Sequence, residues 1–174
     1  MANDLKDLQK LLDRAAKEMP EKALRIIGVE GTNFIAKNFE DQGFNDTGLE
    51  KWKERATEDK RERDITRYKT NRVITTKSGK GKATAGELNK YGRQNQGRAI
   101  LVGHDTGGNK LKNSFTKRIN VGAKTITWVN PKPYASRHNE GLKGMPKREF
   151  LGPSEYLNGK IGAKIQKELD KLFK

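Results

Sequence analysis

The run over residues 134–157, YASRHNEGLKGMPKREFLGPSEYL, constrains this chain more than any other stretch. Pro131 and Pro133 just ahead of it exclude a regular strand or helix there. From Tyr134 to Glu140 the residues suit a short helical turn, with Gly141 as its natural stop. Gly144, Met145 and Pro146 then demand a tight turn, Glu149 to Leu151 a short apolar run, and Pro153 with Ser154 the opening of a final helix. Punctuation this dense fixes a shape without supplying chemistry.

A length of 174 residues suits a single domain over 1–174. Hydrophobic residues make up only 32% and charged residues 34%, so the core is small relative to the surface, and part of the chain is expected to be an arm or long loop. Lysine and arginine number 37 against 22 acidic residues, a formal net charge of +15 that favours a polyanion or an acidic protein as neighbour. With no cysteine, disulfide scaffolds, thiolate zinc sites and cysteine nucleophiles are excluded together. No apolar run approaches the length of a membrane span, and the start, MANDLKDLQK, lacks the basic-then-apolar layout of a signal peptide. A soluble, intracellularly made protein is expected.

Along the chain, Leu5, Leu8, Leu11, Leu12, Ala15, Ala16 and Met19 recur at helical spacing, predicting an amphipathic helix over 4–19. Pro20 suits the first turn of a second helix running to about Asn38, with Leu24, Ile27, Phe34, Ile35 and Phe39 on its stripe. Gly28 and Gly31 there are either weak points or places of close backbone approach. The run DQGFNDTG turns the chain, and Trp52 beyond it is either a cap over the core edge or an interface anchor.

Residues 53–98 hold 14 lysines and arginines against 6 acidic residues, a surplus of 8. They read as a basic, extended insertion, with a short helix over 60–68 and a short strand over 72–76. Its cations, among them Arg61, Arg63, Arg67, Arg72, Lys77, Lys80 and Lys82, would meet nucleic-acid phosphates, a neighbouring subunit or water. The run AILVGHDTGG, from Ala99, suits a short strand feeding a turn, and 111–115 one helical turn. Residues 115–121 and 125–129 read as a β-hairpin, with Phe115, Ile119, Val121, Ile126 and Trp128 on its buried side. A closing helix over 154–173 completes an α+β fold, in which helices at both ends pack on one face of a small antiparallel sheet.

The catalytic candidates are His104 with Asp105 and His138 with Glu140. The run RHNE superficially resembles a histidine-asparagine nuclease motif, but neither a second histidine at ligand spacing nor a cysteine knuckle accompanies it. There is no GxxxxGK[ST] loop and no nucleophile elbow. No enzymatic activity, metal or cofactor is expected.

Tyr134-Ala135, His138, Gly141 and the run from Met145 through Pro146, Arg148, Phe150 and Leu151 to Ser154 resemble the YA..H..G and PxRxFLG(P/L)S signatures of the virion morphogenesis, or tail-completion, proteins of tailed phages. Trp52 is similar to that family's tryptophan, and Thr106-Gly107 with Leu111 and Ser114 to its TG.L..S turn, with two extra residues between Gly107 and Leu111. The insertion stands where relatives have a short link. The resemblance covers residues 20–52 and 99–173. It implies a structural virion protein made in the host cytoplasm, a homo-oligomer in a sixfold ring at the head-to-tail junction. Its partners would be the connector and the tail-terminator or tail-tube proteins, with genomic DNA passing close by and no membrane. A polar chain with a small core would gain stability by burying a strand face, Trp52 and helix ends against its own copies. Arg148 would make a bidentate carboxylate contact, and His138 would be hydrogen-bonded near the turn.

Overall fold

A computed structural model describes residues 2–54, 87–95, 98–101 and 110–173. The chain divides into two compact units, Met1–Lys53 with Leu101–Lys174, and Glu54–Ile100. The second unit falls on the basic insertion. Its described residues include one short helix, α2 (Lys90–Asn95), in which the Asn89 side chain accepts from the Gly92 N–H at 2.8 Å. The helix expected over 60–68, the strand expected over 72–76 and the seven candidate cations lie outside the described residues.

The first unit begins with one helix, α1 (Ala2–Asp41), where two were expected. Pro20 lies inside it. A proline in mid-helix forfeits its own N–H bond and crowds the preceding turn, but the apolar spacing keeps its phase from Met19 through Ala23 to Ile27, so one face serves both halves. Ion pairs also span the site: Glu18 accepts from Arg14 at 3.0 Å and from Lys22 at 2.8 Å. The Lys22 hydrogen bond, then that of Arg14, holds the Glu18 carboxyl below the usual range.

After α1 the chain turns into a tight antiparallel hairpin, β1 (Gly43–Asn45) and β2 (Leu49–Lys51), which pairs Gly43 with Lys51 and Asn45 with Leu49. A second, separate hairpin joins β3 (Thr116–Asn120) to β4 (Thr125–Val129), with Lys117 opposite Trp128 and Ile119 opposite Ile126. The α+β class stands, with two two-stranded sheets among the described residues. The second hairpin lies over α1 at its glycines. A Cβ on Gly31 would come 2.3 Å from the Trp128 ring, so this glycine is a place of close approach, and the Trp128 indole N–H donates to the Thr32 hydroxyl at 3.3 Å. The side expected to be buried is covered only in part: Phe115, Ile126 and Trp128 are half-buried, and Ile119 and Val121 stay exposed. Two strands crossing a single helix find too little apolar surface to close over them.

Residues 99–101 end in a turn with Leu101 at φ +61°, so the strand expected from Ala99 is absent there. The single turn expected after it is a 3-10 turn, Leu111–Asn113. The chain then forms α3 (Ala135–Glu140) and α4 (Glu155–Leu172). The core lies between the second half of α1 and the loops around it: Leu24, Phe34, Ile35, Phe39, Phe44, Trp52, Leu111, Phe150 and Leu172. Phe39 is its hub, edge-on to Trp52 and stacked on Phe150, each ring 5.3 Å away.

Candidate functional site

The punctuated segment folds as its residues dictate. Gly141 caps α3 with φ +71°, a conformation that favours glycine, and a Cβ there would lie 3.1 Å from the Lys147 backbone. A 3-10 turn follows at Leu142–Gly144. The Ser154 hydroxyl caps α4, accepting from the Leu157 N–H at 3.1 Å and donating to the Asn45 carbonyl at 2.7 Å. The Asp46 carboxylate takes the neighbouring Glu155 N–H at 2.7 Å.

Between these ends, residues 148–151 form a strap tied down by polar groups from three directions. The Asn139 side chain accepts from the Phe150 and Leu151 N–H groups, both at 3.0 Å, and donates to the Leu151 carbonyl at 2.9 Å. Asn38, with no exposed surface, donates to the Phe150 carbonyl at 3.2 Å. Its oxygen accepts from the Asn45 N–H at 3.0 Å and the Asn45 side chain at 2.8 Å. The Trp52 indole donates to the Glu149 carbonyl at 2.7 Å. Buried Arg148 donates through Nε to the Lys53 carbonyl at 2.9 Å, and its N–H donates to the His138 carbonyl at 2.7 Å. One backbone segment is thus joined to α1, the end of β2 and α3, with β1 tied to the same Asn38.

The residues singled out in the sequence therefore come together, but mostly inward. Trp52, Leu111, Ala135, Arg148 and Phe150 are buried in the chain's own core. A core this small cannot spare its aromatic residues for a partner. Trp52, packed edge-on against Phe39, is part of that core. Leu151, Pro146 and Gly141 are half-buried, and Tyr134 remains exposed. The Ser114 hydroxyl donates to the Lys110 carbonyl at 2.8 Å. Thr106, Gly107, His104 and Asp105 lie outside the described residues.

His138 differs from expectation. Its carbonyl holds the strap, while its buried Nδ1 meets no partner among the described residues. Burial, and secondarily the charge of Arg148, push the imidazole below its ordinary pKa. The unfolded chain therefore binds the proton more readily than the fold does, so stability is full above about pH 6.5 and declines as pH falls through that value. Thermal unfolding between about pH 5 and 8 should show this decline in the wild type and a flatter profile in His138→Gln. Parallel profiles would exclude His138 as the source.

Sequence reasoning missed Asn38, Asn139 and Glu30. Asn38 interrupts an apolar stripe between Ile35 and Phe39, which was the available signal. Glu30 is buried on α1 and pairs with Lys164 of α4 at 2.5 Å. Among the described residues no three His, Asp or Glu side chains gather as metal ligands would, and no helix is long and apolar enough to cross a membrane. Compared with known proteins, the chain matches no family model, no curated protein and no solved structure.

Proposed function

We propose that this chain is a structural tail-completion, or neck, protein of a tailed phage, forming a ring at the head-to-tail junction during virion assembly. The supporting observation is the strap. The residues that resemble the family's closing motif meet in one place, with Arg148 bonded to His138 and Phe150 and Leu151 bonded to Asn139. A segment held by this many side chains is rigid and its polar groups are committed to holding backbone, so the surface built over it is what would meet a partner. The partners would be copies of the chain, the connector and the tail-terminator or tail-tube proteins.

A second reading, a stand-alone basic nucleic-acid-binding protein, draws on the surplus in residues 53–98 and on Lys160, Lys164, Lys167 and Lys171. These lysines are spaced 4, 3 and 4 residues apart along one face of α4. Imaging of assembled particles with this chain labelled is expected to place it at the neck in a closed ring. Particles without it would sink the neck reading. Affinity for duplex DNA that falls steeply with salt and depends on Arg61, Arg63, Arg67 and Arg72, found together with absence from particles, would establish the second.

A further inference from the structure

The first half of α1 carries an apolar stripe whose leading leucines stay exposed. Leu5, Leu8 and Leu12 are 73%, 47% and 52% exposed. Helix α4 does not reach them. It runs antiparallel to α1, with Lys164 paired to Glu30, while Lys167 and Lys171 line one groove with Lys22 and Arg25. Carried forward, that register brings the end of α4 level with about residue 20, leaving roughly 27 Å of α1 beyond it at 1.5 Å per residue. A lone helix of that length is marginal in water, and its stability comes from burying an apolar face.

Two observations indicate what covers this one. Leu5, Leu8, Leu12, Ala15 and Met19 follow one another at intervals of 3, 4, 3 and 4, the spacing of a coiled-coil seam, in which each side chain enters a hole on a facing helix of the same kind. The charge also suits a second copy. Between Ala2 and Met19 four acidic residues (Asp4, Asp7, Asp13, Glu18) balance four basic ones (Lys6, Lys10, Arg14, Lys17), in a chain whose net charge is +15. A neutral segment offers a polyanion or an anionic membrane little to hold. Two copies can pair there without the repulsion that the rest of the chain would bring. Exposed Leu8 and Leu12 make none of the polar contacts of the core, so the stripe can change without disturbing the fold.

We infer that the first 18 residues of α1, Ala2 through Met19, are a self-association element that pairs along this leucine seam with the same segment of a second copy. The inference rests on the neck reading only in that both need copies of the chain to meet. It names the surface through which they do so. The seam covers little more than two heptads, so association depends on concentration.

Sedimentation of the purified full-length chain over a range of concentrations tests this. The wild type should rise above the monomer mass of 19.6 kDa, and Leu8→Glu/Leu12→Glu should stay at that mass with unchanged helical circular dichroism. Because the chain has no cysteine, a short thiol-reactive cross-linker gives a second readout. It should join two copies through Leu8→Cys or Leu12→Cys, and not through Lys10→Cys on the other side of the helix. A wild type that is monomeric at every concentration, or a double-glutamate variant that keeps the wild-type mass, would overturn the inference. The second of these leaves the neck reading intact, because a ring could form through another surface. Association along the seam without any chain in particles would sink the neck reading alone.

Discussion

Replacing Asn38 with alanine is expected to lower the unfolding free energy by about 4 kcal/mol. The side chain has no exposed surface and serves two backbone groups, the Phe150 carbonyl and the Asn45 N–H. A buried polar group left without a partner costs about 1–3 kcal/mol, and here two are orphaned together. Asn38→Leu separates hydrogen bonding from volume: it refills the space yet restores neither bond, so most of the loss should persist. Urea unfolding followed by Trp52 fluorescence in a Trp128→Phe background reads both variants, because the Trp52 indole is bonded to the same strap. A loss below about 1 kcal/mol for either variant would mean that water or a backbone shift replaces the amide, and that the strap is held elsewhere.

The parts of this fold legible in sequence are those specified locally. Gly141 ends α3 because the left-handed conformation there suits glycine, Ser154 opens α4 because its hydroxyl can take a free N–H, and the β3–β4 hairpin follows from alternation around a short turn. Local rules failed where tertiary contacts outweighed them. Pro20 looked like a helix start, but the apolar face continues through it and favours one long helix. Trp52, set among charges, looked peripheral, but Phe39 and the Glu149 carbonyl draw it into the core. Residues 99–101 looked like a strand on apolar content alone, yet strand pairing needs a neighbour, and Leu101 turns the chain instead.

The candidate site was half legible for a related reason. Its segment is visible as a run of turn residues, so Tyr134 to Leu151 stand out together, and they do meet. Which way each side chain faces depends on partners more than 90 residues away in sequence, such as Asn38 and Lys53, and nothing local encodes that. Most of the motif-like residues consequently act as internal fastenings, while the apolar surfaces exposed among the described residues include the leucine seam of α1 and the outer part of the second hairpin. On the neck reading, a partner would meet a stiff edge built over that fastening and would cover the apolar surfaces that one chain cannot close alone.

Phe39→Ala should cost about 4 kcal/mol, since a buried phenylalanine truncated to alanine loses both its transfer energy and the contacts around the cavity it leaves. Phe39 lies in the last turns of α1 and touches three other rings: Trp52 and Phe150 at 5.3 Å and Phe115 at 6.3 Å. It therefore joins the helix to the end of β2, to the start of β3 and to the strap in one cluster, with Phe115 and Phe150 also in contact at 5.5 Å. Phe39→Leu keeps much of the volume and should cost about half as much. If the cluster acts as one body, Phe39→Ala and Phe150→Ala will be less than additive, with a coupling of about 1 kcal/mol in a double-mutant cycle, because the second truncation enlarges a cavity already opened. Strict additivity would mean that the strap is seated by its hydrogen bonds alone, and the rigidity that the neck reading draws from this segment would then rest on Asn38 and Asn139 without help from the rings.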